Sequence, residues 1–210
     1  MISVETALHF FMLNSSLCLM PCAEMVIVIT HSSTQGWKSG MAFVAGTGTA
    51  LLIQVLLMAF GVSAIIQASV TVFHLLKIIG VTYLLFLAWQ ILMQPTTLAS
   101  QEGPGLTSKV ALFRKGVTLN FSTPMTPLFL LFLIPTFIEI DKGSITSQSL
   151  QLGGVLVLSF LCVYTLYCFC ADRAGAILLQ SEKFRRYLQR IAASTIAGFA
   201  IYLAWAQPVL

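Results

Sequence analysis

The chain has 210 residues, 58% of them apolar and only 9% charged, with eleven Lys+Arg against seven Asp+Glu. Soluble domains average about 45–50% apolar and about 25% charged. So few charges cannot solvate a soluble surface of this size, and the composition also excludes a disordered chain and nucleic-acid binding through a basic face.

The mean hydropathy is +0.92. At about 20 residues per crossing, six helices fit the chain and leave room for loops. The expectation is an all-α membrane protein, one transmembrane domain over residues 1–210. Continuous apolar runs such as Val55–Met58 and Phe129–Ile134 do not alternate as the strands of a membrane barrel would. The first segment is not read as a cleaved leader, because Glu5 rather than a basic residue precedes it and no small-x-small site follows.

In chain order the expected spans are Thr6–Thr30, Met41–Gln67, Val70–Met93, Gly116–Ile138, Leu150–Cys170 and Ile191–Val209. A short loop at His31–Gly40 carries Lys38, and Gln67–Ser69 reads as a tight turn. The loop Gln94–Lys115 carries Lys109, Arg114 and Lys115, and Glu139–Ser149 is acidic and polar. The loop Ala171–Arg190 carries Arg173, Lys183, Arg185, Arg186 and Arg190. Basic residues therefore gather in alternate loops. The positive-inside rule places those loops in the cytoplasm and both termini outside.

Six spans divide into two inverted three-helix repeats, about residues 1–93 and 116–210, joined by a cytoplasmic loop at about 94–115. Each repeat opens with a proline-broken first helix. Asn14 is followed by Pro21, Cys22, Ala23 and Glu24, and Asn120 by Thr123, Pro124, Met125, Thr126 and Pro127. Proline leaves a helix carbonyl without its partner. In lipid such a break survives only against protein or a water-filled cavity. Matching breaks in inverted halves point to a midplane binding site. A pair of kinked structural helices is the plainer alternative.

Glu24 is the foremost candidate. A carboxylate near the bilayer centre costs about 2.5–3.5 kcal/mol on insertion scales. There it would carry a proton or bind a substrate ammonium; nearer the headgroups it would simply reach water. Lys77 would hold a substrate carboxylate, pair across the bundle, or snorkel to the outer surface. Asn14, Asn120, Thr123 and Thr126 would line the site or satisfy the carbonyls that Pro21 and Pro124 free. Tyr83 and Trp89 suit an interfacial belt as well as a site. The small residues Ala42, Gly46 and Ala50 form a close-packing face, used within one subunit or between two copies. Gly36 and Gly40 read as turn glycines, and Asp172 with Arg173 as a solvated helix end. His9, His31 and His74, and the five cysteines, lack metal-ligand spacing, so no metal or cofactor is expected. No phosphate loop or nucleophile motif is present, so an ion gradient must drive any active transport.

These residues resemble the lysine-exporter superfamily, the LysE/RhtB group of bacterial inner-membrane amino-acid exporters. The likeness runs over nearly the whole chain. It is carried by Pro21-Cys22-Ala23-Glu24, where the family has a Pro-Gly-Pro-Asp-like turn, and by Gln35-Gly36-Trp37-Lys38-Ser39-Gly40 with Gly46. It continues in Lys77-Ile78-Ile79-Gly80-Val81-Thr82-Tyr83-Leu84 with Leu87-Ala88-Trp89. Further on come Phe113-Arg114-Lys115-Gly116, Asn120, Pro124 and Pro135-Thr136-Phe137, and finally Arg190 and Gly198. Cys22 and Ala23 replace the second Gly and Pro of the first motif, and Glu24 keeps its charge. In the second, Asn-Pro-Lys-like motif, Thr123 replaces Asn and Met125 replaces Lys. The resemblance implies a secondary transporter, not an enzyme, that exports amino acids or similar small zwitterions by proton antiport. Its implied setting is the bacterial inner membrane, and its partners are an amino-acid substrate, protons and lipid, with no nucleic acid. A second likeness, Pro21-Cys22 with Thr123-Pro124-x-x-Pro127, is to the thiol-transfer membrane proteins of the DsbD/CcdA type. There Cys22 would carry electrons, but Met125 stands at the position of the second cysteine. A non-transporting scaffold is the third reading.

Overall fold

A computed structural model describes residues 2–19, 22–68, 107–123, 125–139 and 143–174, together with scattered positions within 78–93 and 186–201. The described residues are helical, without strands. Six helices are bounded among them: α1 (Val4–Cys18), α2 (Ala23–Gln35), α3 (Trp37–Ala68), α4 (Lys109–Ser122), α5 (Met125–Phe137) and α6 (Ile145–Ala174). Helical backbone recurs within 78–93, where the third span is expected, and within 186–201, from inside the segment expected as loop into the sixth span. The remaining positions of those spans lie outside the described residues, and so do Pro21, Lys77 and Pro124.

The expected first and fourth spans are each two helices. α1 ends where the Leu19 amide divides its hydrogen bond between the Ser15 and Ser16 carbonyls, both at 3.2 Å. Cys22 is extended, at φ −133° and ψ 171°, and α2 starts after it. At the second break Thr123 is extended, at φ −90° and ψ 104°. Steric pressure from a following proline drives a residue out of the helical region, and Pro124 follows Thr123. Pro127 falls in the first turn of α5, where amides have no intrahelical partner to lose.

The fourth span also begins earlier than its apolar run. α4 starts at Lys109, within the segment expected as loop, because Ser108 caps it by accepting from the Ala111 amide at 3.2 Å. Similarly, α3 continues through Gln67, where a turn was expected. α6 extends the expected fifth span at both ends, and Asp172 and Arg173 are exposed in its last turn.

α3 is the centre of the bundle and packs most extensively on α4 and α6. α3 and α4 run in the same direction: Gly46 meets Phe113 and, further along both, Gln54 meets Asn120. α6 runs against α3, with Gly40 beside Cys168 at one end and Val55 beside Gly153 at the other. α1 and α2 follow α6 in its own direction. The Ile2 amide donates to Gln151 Oε1 at 3.1 Å, Cys22 meets Tyr164, and Gly36 lies near Asp172. The two broken helices therefore run in opposite directions. The start of α3, the start of α4 and the end of α6 share one end of the bundle, and Lys38, Lys109 and Arg173 gather there. Glu139 lies at the other end, held by Gln148, which accepts from its amide at 3.0 Å and donates to its carbonyl at 2.8 Å.

The α3–α4 crossing is a backbone contact. A Cβ at Gly46 would collide with the Phe113 carbonyl, and one at Gly116 with the Phe43 carbonyl. Small residues allow such approach where apolar burial gives no net drive between helices. The face of Gly46 and Ala50 is thus used inside the chain. Gly36 makes the turn between α2 and α3 at φ +83°, a conformation in which a Cβ is strained. The core joins both halves through Phe10, Leu13, Met25, Phe43, Leu130 and Ile134. Phe10 and Phe137 meet edge-on, 4.8 Å between centroids.

Large apolar side chains also point outward: Leu8 and Met12 on α1, Leu56 and Phe60 on α3, Leu158 and Leu166 on α6. Apolar surface on this scale belongs against another apolar phase. Two helices, at Trp37–Gly61 and Ile145–Arg173, are each long and apolar enough to cross a membrane.

Candidate functional site

Glu24 occupies the first turn of α2, directly after the first break. Asn120 occupies the last turn of α4, directly before the second. The fold brings these two residues together. The side chains of Asn120 and Tyr164 both come within reach of the Glu24 carboxyl. Asn120 Oδ1 in turn accepts from Gln54 Nε2 at 3.1 Å. On the other side Cys22 Sγ lies 3.3 Å from the Tyr164 hydroxyl oxygen.

Gln54 thus donates to Asn120, Cys22 pairs with Tyr164, and Asn120 and Tyr164 flank Glu24. Four helices contribute: α2, α3, α4 and α6. Tyr164 lies about 14 Å of helix axis before Arg173, near half the depth of a hydrocarbon layer of about 30 Å. The Glu24 side chain is half-buried at this level, beside Asn120 and Tyr164. Aromatic rings back it along one face of α6, where Phe160 stacks on Tyr164 at 4.4 Å and Tyr164 meets Tyr167 edge-on at 5.7 Å.

The other expected site residues lie differently. Asn14 is buried, and its amide donates to the Phe10 carbonyl of its own helix at 2.7 Å. Thr123 likewise turns back, donating to the Leu119 carbonyl at 2.8 Å. Both bond to backbone within their own helices; the carbonyl that Asn14 meets is not the one that Pro21 frees. Thr126 is half-buried at the start of α5, and Tyr83 is half-buried on a helical segment, while Trp89 is exposed. Pro21, Pro124 and Lys77 lie outside the described residues.

Two members of the network escaped the sequence reading. Gln54 interrupts the apolar run Leu51–Leu57, and an amide inside a span is itself a signal. Tyr164 follows Phe160 by four residues and precedes Tyr167 by three, a helical spacing that puts the three rings on one face. Among the described residues no cluster of three metal-ligating side chains occurs.

Helices that break beside a half-buried carboxyl, in a bundle with an apolar exterior, suit a helical membrane translocator. Residues 15–207 match the family described as LysE type translocator, and the chain belongs to that family. The homoserine/homoserine lactone efflux protein of Salmonella typhimurium is 26% identical over 167 residues, 80% of this chain and 81% of that protein. An uncharacterized membrane protein of Bacillus subtilis, YrhP, is 22% identical over 207 residues, 94% of this chain and 98% of its own length. An uncharacterized membrane protein of Vibrio cholerae is 26% identical over 189 residues, 90% of this chain and 91% of its own. No solved structure matches the chain. Its family consists of transporters for small molecules and not of enzymes, and its setting is a membrane.

Proposed function

We propose that the chain exports amino acids or similar small zwitterions from the cytoplasm by proton antiport, through six spans arranged as two inverted three-helix halves. The observation that carries this reading is the convergence of both helix breaks on Glu24. α1 and α2, of 15 and 13 residues, are each shorter than one crossing of about 20 residues, so the broken pair makes one span. α4 and α5 make its inverted counterpart. The basic end of the bundle faces the cytoplasm of a bacterial inner membrane and both termini face outward.

A carboxylate away from water is tolerated when a positive charge or a proton neutralises it. Glu24 therefore holds one of two things at a time. A proton arriving from outside occupies it in one state. In the other, the ammonium of an internal substrate displaces that proton. Asn120 and Tyr164 hold the carboxyl in place for both. One half rocks on the other between these states, each favoured by the occupant that binds it better. Thr126 and Tyr83, with the breaks at Pro21 and Pro124, line the path, and Lys77 balances the substrate carboxylate. The likeness to a homoserine efflux protein makes homoserine the first substrate to try.

The test is transport into everted membrane vesicles under an imposed proton gradient, with Glu24→Gln. The amide keeps the shape and cannot exchange a proton, so gradient-driven uptake should fall to the level of empty vesicles. Full gradient-driven uptake by this variant would remove Glu24 as the coupling group.

A further inference from the structure

The hydrogen-bond chain ends on an atom without a partner among the described residues. Gln54 is only 6% exposed, and its Oε1 is buried without a hydrogen bond. Gln54 Nε2 donates to Asn120 Oδ1 at 3.1 Å, and the Asn120 backbone carbonyl lies 3.5 Å from the same nitrogen. A backbone carbonyl can only accept, which keeps the nitrogen of the amide on that side. Turning the Gln54 amide over would set Oε1 against two acceptors. Its carbonyl oxygen is therefore committed to facing away from Asn120, and it remains a strong acceptor at mid-depth, where an unmet polar atom is costly. Gln54 lies in the α3 span Trp37–Gly61, joined to the residue that closes α4 before the second break.

Resting on the exporter reading above, we infer that Gln54 is a specificity-determining residue whose Oε1 accepts a hydrogen bond from a second, neutral donor of the substrate. The substrate class is then a small ammonium compound that also carries a hydroxyl or amide N–H. Glu24 takes the ammonium. Gln54, one amide further along the chain, takes the other donor. A side chain of the same shape with a methyl group in place of the hydroxyl leaves Oε1 buried and unmet. Sites built to hydrogen-bond a substrate reject such analogues for this reason.

Two isosteric pairs read this out in everted vesicles holding the full chain: homoserine against norvaline, and threonine against valine. The hydroxyl member of at least one pair should be taken up about tenfold faster at low concentration, the worth of one hydrogen bond in such a site. In Gln54→Met, which keeps length and unbranched shape, that ratio should fall to about one. A role for Gln54 that is only structural, holding Asn120, lowers both members together and leaves the ratio as it was. That result overturns the inference. So does wild-type uptake that treats both members of each pair alike, a measurement that does not depend on the variant folding. In that case the exporter reading stands and the Gln54 assignment falls. If none of the four compounds is moved, the exporter reading for this class fails, and the inference with it.

Discussion

The two helix breaks are built to a common plan and used unequally. Each follows an asparagine, at Asn14 and Asn120, and each of these asparagines is almost fully buried. Asn14 spends its amide on the Phe10 carbonyl, inside its own helix. Asn120 reaches out of its helix, to Glu24 on one side and Gln54 on the other. The first break brings an acid and a thiol on its far side, at Glu24 and Cys22; the second brings Met125 and Thr126. Two breaks that run in opposite directions thus share an extended residue before the next helix without sharing chemistry. The first contributes the carboxyl, and the second the asparagine beside it.

Substitutions can break this comparison at several levels. The largest effect is expected outside the network, at the seam between the halves. Gly116→Val places a branched side chain against the Phe43 carbonyl and the Thr47 amide. Backbone cannot yield as a flexible side chain does, so folded, membrane-inserted protein should be nearly absent, as detergent-extracted yield and protease resistance will show. Next come the two asparagines compared directly. Asn120→Ala removes the side chain beside Glu24 and the acceptor of Gln54, and uptake should fall by about tenfold or more at unchanged expression. Asn14→Ala removes one intrahelical bond and should cost about 1 kcal/mol of stability, seen as a lower melting temperature in detergent, with transport within about twofold. Equal loss of transport from the two variants would erase the distinction between the breaks. The smallest effect is expected at Cys22→Ser, since a hydroxyl still hydrogen-bonds with Tyr164. Efflux should be nearly unaltered, whereas a thiol-transfer role for Cys22 would lose all activity.

Much of this arrangement was readable along the chain, and what escaped has a common cause. Both breaks, Glu24 and Asn120 stand out because prolines and polar groups are conspicuous in apolar runs. The start of α4 was misplaced because Lys109, Arg114 and Lys115 were counted as loop. Long basic side chains can lie along a helix and still reach water, so charge marks the membrane boundary and not the helix boundary. Gln54 and Tyr164 were missed because their meaning depends on contact. Gln54 finds Asn120 across 66 positions of sequence, and Cys22 finds Tyr164 across 142. Nothing local distinguishes such residues from an amide or ring that merely packs.

The glycine crossing of α3 and α4 has a mechanical side. Two backbones that touch at Gly46 and Gly116 cannot be pressed closer, so any scissoring of these helices uses that point as a fulcrum. Asn120 is about 6 Å along the axis from Gly116, so a tilt of about 10° carries it only about 1 Å. The contact of Asn120 with Gln54 therefore sits close to the pivot, where a change of crossing angle disturbs it least.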